Sequence, residues 1–117
     1  MTKVLLAIQG DYIAHRFDLT TEVIIAVVNN GKLQGEPSTL LLSGASGEEL
    51  CGLIVKEDIS TLICGGIEES QYEYLVWKKL KVIDMVVGPC EQALQFYLEG
   101  GLEPGTILPG AADRKTK

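Results

Sequence analysis

The chain has 117 residues, 46% of them hydrophobic, with three cysteines and a formal charge of −6 at pH 7. That length suits one domain with a proper core, and the acidic balance opposes a phosphate backbone, whose binding needs clustered Lys and Arg, so nucleic acid is excluded as a partner. An odd number of cysteines at irregular spacing argues against a disulfide framework and leaves buried thiols or metal ligation.

The first apolar run, Val4-Leu5-Leu6-Ala7-Ile8, meets Gln9-Gly10-Asp11 at once. It is too short for a secretion signal or a membrane span, so a cytoplasmic protein with no membrane partner is expected. Residues 3–8 are predicted as a first strand and residues 22–28, rich in Val and Ile, as a second, with a polar loop from 9 to 21 between them. Asn29-Asn30-Gly31-Lys32 supplies residues that accept positive φ, so the second strand should pair antiparallel with a third over residues 33–42. Pro37 interrupts that strand or places it on an edge.

From Ser46 the period lengthens to that of a helix, with Leu50, Leu53 and Ile54 on one face and Ser46 and Glu49 in capping-box spacing. Residues 61–64 then read as a short strand buried on both faces, and residues 68–80 as a second helix with Glu68 and Glu69 at its start and Lys78 and Lys79 at its end, as the helix dipole favours. Residues 82–87 form the last predicted strand. Pro89 opens a third helix carrying Cys90, Ala93, Leu94, Tyr97 and Leu98 on one stripe and stopping at Gly100-Gly101. The expectation is a single α/β domain over residues 1–103, a mixed five-stranded sheet flanked by three helices, with a flexible tail over residues 104–117.

Two stretches repeat one pattern of strand, glycine, cysteine and helix: Thr61-Leu62-Ile63-Cys64-Gly65-Gly66-Ile67, and Val82 to Val87 followed by Gly88-Pro89-Cys90. Glycines at strand ends aim the amides of the next helix at whatever lies beyond, so Gly65, Gly66 and Gly88 form a candidate anion-receiving rim or serve turn chemistry alone. Cys64 fits either a soft ligand or a small buried residue. Cys90, in a first helical turn that should lower its thiol pKa, is either a thiolate or the start of an apolar stripe. His15, the sole histidine, lies in the loop expected near both thiols; it is a metal ligand or a solvated side chain. Arg16 pairs with an anionic cluster or makes a surface ion pair. Asp11 and Asp84 could hold magnesium for phosphodiester cleavage, though too few acidic residues converge for a nuclease or hydrolase. Tyr72, Tyr74 and Trp77 are packing aromatics or a partner patch.

Three blocks carry a family resemblance: Cys64-Gly65-Gly66-Ile67, then Lys81-Val82-Ile83 with Val86-Val87-Gly88, then the closing stretch from Glu91 to Gly100. Together they resemble the dinitrogenase iron-molybdenum cofactor biosynthesis family, the NifX-like and NifB C-terminal-like domains. Turn residues Asn30-Gly31-Lys32-Leu33 and the loop Arg16-Phe17-Asp18 add to it. The element order is met by strand order 3-2-1-4-5, and the resemblance implies a ribonuclease-H-like fold and, from members with known roles, a carrier connected with nitrogen fixation, expected here to be non-enzymatic. Its cargo would be a metal-sulfur cluster containing molybdenum, iron or both, which can be absent from isolated protein, and its partners would be proteins that donate or receive that cluster. Family members often read His-Phe-Gly after the first strand; a gapless match sets Arg16, Phe17 and Asp18 there, and one inserted residue sets His15 at the histidine position. The ligand set so implied is His15, Cys64 and Cys90, with Arg16, Gly65, Gly66 and Gly88 around the anion. The alternative is a protein-protein interaction module that carries no metal.

Overall fold

The computed structural model describes residues 1–111. Strand β1 (Thr2–Gln9) is continuously apolar from Val4 to Ile8 because both of its faces are covered. Successive side chains point to opposite faces. Leu5 and Ala7 therefore join one core cluster, with Leu50, Cys51 and Ile54 of α1 (Gly47–Lys56) and Leu75 of α2 (Glu69–Trp77). Val4, Leu6 and Ile8 join another, with Ala93 of α3 (Cys90–Leu98). Each fully buried Leu or Ile contributes about 1.5–3 kcal/mol, so the two clusters fasten helices to both sides of the sheet.

β1 lies at the centre. It pairs antiparallel with β3 (Glu22–Asn29) and parallel with β6 (Thr61–Ile63), which pairs parallel with β7 (Lys81–Ile83). On the far edge of β3 lie β4 (Lys32–Leu33) and β5 (Ser38–Leu41), and β2 (Tyr12–Ile13) folds back on the end of β1. The mixed sheet thus has seven strands in the order β4-β3-β1-β6-β7, with β5 beside β3 and β2 beside β1. This corrects the expected five strands in order 3-2-1-4-5. Asn30 and Gly31 turn the β3–β4 hairpin at φ of 54° and 76°, but Gly35, at φ 74°, and Pro37 stop the returning strand from running through to residue 42.

Other boundaries move for local reasons. Ser46 caps α1 through its Oγ, which accepts from the Glu49 amide at 3.3 Å. α2 ends at Trp77, earlier than residue 80, because Lys79 adopts φ 72°. β7 ends at Ile83, since Met85 turns the chain at φ 58°. Part of the expected tail is packed: Leu108 is 2% exposed and its amide donates to the Val87 carbonyl, while Gly110 and Ala111 are buried and the Gly110 amide donates to Gln92 Oε1. Residues 112–117 of that tail lie outside the described residues. Among the described residues no helix is long and apolar enough to cross a membrane.

Candidate functional site

The site region is the carboxyl end of β1, β6 and β7, and the loop after β1 crosses it. Phe17, 1% exposed, sinks into the α1–α2 cluster and anchors that loop. Its amide donates to the Gly66 carbonyl at 2.8 Å, and the Gly66 amide donates to the His15 carbonyl at 2.7 Å. Further upstream, the Ile13 amide donates to the Gly88 carbonyl and the Cys90 amide to the Asp11 carbonyl, both at 2.9 Å. The loop therefore spends the amides of Gly66 and Cys90 on its own carbonyls.

That closure explains the glycines differently from the open rim expected. A Cβ on Gly65 would collide with the carbonyl oxygens of Ala14 and His15, and one on Gly88 would stand 2.7 Å from the Leu108 Cβ. Both residues are buried. Their smallness admits the chain's own backbone and side chains, so the space beside them is filled. Gly66 alone of the three keeps some exposure, at the edge of a depression of about 240 Å³ shared with Arg16, Asp18, Ile67 and Glu68.

The thiols are also placed away from a shared ligand. Cys64 is fully buried in the cluster beneath α1 and α2. Burial, and then the Asp84 carboxylate, push its thiol pKa far upward. Cys90 faces the α3 side, lining an apolar groove of about 190 Å³ with Leu6, Ile24 and Leu94. The expected lowering of its pKa by the helix is reversed: burial raises it, Asp11 adds to the rise, and the amides of Cys90 and Glu91 offset only part. Cys51, on α1, is raised by burial and then by Glu48. Among the described residues no three His, Cys, Asp or Glu side chains stand close enough to hold one metal ion. The set of His15, Cys64 and Cys90 is thus not brought together, and Asp11 and Asp84 have no third carboxylate for a metal-dependent hydrolase.

His15 and Arg16 remain. Both are exposed, and both line a depression of about 380 Å³ with Ile8, Gln9, Ala14, Leu19, Thr20 and Thr21. Thr20, itself buried, donates its hydroxyl to the Arg16 carbonyl at 2.9 Å and holds that backbone still. The guanidinium pairs with Asp18 in a fork, Nη2 to Oδ2 at 2.7 Å and Nε to Oδ1 at 3.1 Å. Arg16 also borders the smaller depression, so one cation stands between two hollows.

Sequence reasoning missed Asp18, Thr20 and Met85. Asp18 and Thr20 carried a local signal, an arginine followed by a carboxylate two positions on and a hydroxyl four positions on. Met85 carried none: it is 55% exposed at a positive φ uncommon for a bulky side chain, beside Gly66.

No protein-family model matches the chain, and no curated protein matches it. Solved structures do. PH0822 superposes with a TM-score of 0.80 at 13% identity, covering 88% of this chain and 94% of its own. A candidate dinitrogenase from Methanocaldococcus jannaschii, MJ0327, gives 0.71 at 21% identity over 86% of this chain and 91% of its own. A candidate NifB protein from Thermotoga, TM1290, described as belonging to the DUF35 family, gives 0.71 at 20% identity over 92% and 97%. At such identities the likeness is one of fold: this chain has the mixed α/β architecture of these proteins over nearly its whole described length.

Proposed function

We propose that the protein is a non-enzymatic carrier of an anionic metal cofactor, a metal-sulfur cluster containing molybdenum, iron or both, acting in cofactor biosynthesis. The observation that carries this reading is the pair His15 and Arg16, consecutive exposed side chains on a clamped loop, both lining the 380 Å³ depression. An imidazole supplies a single metal bond, and a guanidinium supplies permanent charge and directed donors for sulfide or oxo ligands. One protein ligand plus a countercharge suits cargo that must be handed on, whereas three thiolate or imidazole ligands would hold it firmly. The likeness of fold to MJ0327 and TM1290 supports the same reading, and we read the sheet as ribonuclease-H-like. The role we infer is cytoplasmic, between a protein that donates the cluster and one that receives it.

Asp18 occupies the fork of Arg16 and so competes with any anionic cargo. Exposed ion pairs are worth about 0–1 kcal/mol, so releasing this one should tighten anion binding by up to about fivefold. The test is elemental analysis and a visible spectrum of protein purified anaerobically from its own host, followed by titration with tetrathiomolybdate. We expect bound metal with charge-transfer bands. His15→Ala and Arg16→Gln should lose most of the retained metal, Asp18→Gly should bind more tightly, and Cys64→Ala should match the parent. Colourless protein that takes up no cluster on reconstitution would sink the proposal, as would uptake indifferent to both His15→Ala and Arg16→Gln.

A further inference from the structure

The two edges of the sheet are built differently. β7 is three residues long and opens on Lys81, and shortness and a lysine are both devices that discourage a further strand. The opposite edge is shared by β4 and β5, which lie one after the other along β3. Its first half carries Lys32 and breaks off at residues 35–37, where Gly35 turns at φ 74° and Pro37 follows. Its second half has no such protection. β5 reads Ser-Thr-Leu-Leu, uncharged and in unbroken register with β3, and all four residues are exposed, Leu41 at 79%. Among the described residues β5 pairs with β3 alone.

The register says which backbone groups face outward. The Leu42 amide donates to the Thr21 carbonyl at 2.8 Å, and Leu41 stands opposite Glu22. Residues along an antiparallel strand turn their amide and carbonyl to alternate sides. Leu42, Leu40 and Ser38 therefore face β3, while Thr39 and Leu41 present theirs to the open edge. Groups at that spacing are matched by another strand, and β5 matches them itself when turned about a twofold axis perpendicular to the sheet. With Leu40 on the partner's Leu40, Thr39 stands opposite the partner's Leu41, and every outward amide and carbonyl of both copies is used. Other registers fail. A shift by one residue sets outward groups against inward ones. A shift by two sets Leu41 against the partner's Pro37, which has no amide to give, or carries Thr39 past the end of the strand. The side chains agree with the remaining register, since only Ser, Thr and Leu meet and no charge is brought into the contact.

We propose that the open edge of β5, Ser38–Leu41, is an isologous docking surface at which a second copy of this chain continues the sheet across a twofold axis. The four residues of β5 span about 14 Å, too little for a standard interface of about 800 Å² per partner, so the dimer is reversible. The pairing uses none of the residues that line the His15–Arg16 depression and does not depend on what that depression holds.

The experiment is sedimentation velocity of the full chain from micromolar to millimolar concentration, with circular dichroism confirming that every variant is folded. We expect the mass to rise toward two chains over that range. Thr39→Pro should abolish the rise, because it removes an outward amide and leaves the ladder between β5 and β3 untouched. Leu41→Lys should weaken dimerisation by about tenfold, the change being felt twice through the twofold axis. The register is read by cross-linking. In a non-hydrogen-bonded antiparallel pair the Cα atoms stand about 4.5 Å apart, within disulfide reach, so Leu40→Cys should form a covalent dimer under diamide while Leu41→Cys and the parent chain should not. A single-chain mass at all concentrations would overturn the proposal. So would a dimer that persists unchanged in both Thr39→Pro and Leu41→Lys, or one that Leu41→Cys links as readily as Leu40→Cys, since either would use another face or another register.

Discussion

His15, Arg16 and the three cysteines divide sharply once their surroundings are considered. The two loop residues project from a backbone held on both sides, whereas Cys51, Cys64 and Cys90 all have thiol pKa values raised above the ordinary 9.0, burial being the first cause in each. A raised folded-state pKa means that the unfolded chain loses its thiol protons first as pH rises. The stability linked to these thiols is therefore complete below about pH 8.5 and declines above it. Urea unfolding of wild type at pH 8 and pH 10 should show a lower midpoint at the higher pH. Cys64→Ala should show a smaller drop between the same two pH values, and an equal drop would mean that Cys64 contributes nothing to it. Cys64 should likewise resist thiol reagents in the native protein.

The loop after β1 and the turn after β6 act as one structural element, because hydrogen bonds run both ways between His15, Phe17 and Gly66. Its assembly requires the backbone of Ala14 and His15 to approach Gly65 more closely than any side chain allows. Gly65→Ala should therefore lower stability by about 2 kcal/mol or more, through overpacking against backbone that cannot give way. Because the strain falls beneath His15, the variant should also lose tetrathiomolybdate binding even when folded at low temperature. A Gly65→Ala protein with parental stability and binding would show that the loop is free to move aside. The sequence marked this glycine correctly as a position needing no side chain. What occupies the space depended on residues fifty positions upstream, which no local pattern reveals.

At the scale of the whole molecule, the chain beyond α3 completes the core on that side of the sheet. Leu108 packs among Val86, Ala93 and Leu102 in the same cluster as Leu6 and Ile83, and lies directly over Gly88. Leu108→Ala should cost about 2–5 kcal/mol, the range for a buried leucine whose surroundings relax only partly. Urea denaturation checks this, and an unchanged midpoint would return residues 104–111 to the status of a dispensable tail. Its composition of Pro, Gly and single apolar residues has no period, so nothing in the sequence distinguished a packed strap from a loose end.

The sequence by itself determined the main strands and the three helices, though not the short strand β2 inside the loop after β1. The unbroken apolar run of β1, the cap at Ser46, the hairpin residues Asn30 and Gly31 and the stripe through Ala93 and Leu94 are all local patterns whose meaning does not depend on distant chain. It also singled out the loop of His15 and Arg16. Tertiary structure alone decided which candidates meet. It sealed Cys64 beneath two helices, turned Cys90 into the apolar groove between α3 and the sheet, filled the glycine rim with the loop and with Leu108, and split the third strand at Gly35 and Pro37. Those outcomes follow from close packing between residues far apart in the chain, where burial and steric exclusion override what any single segment prefers.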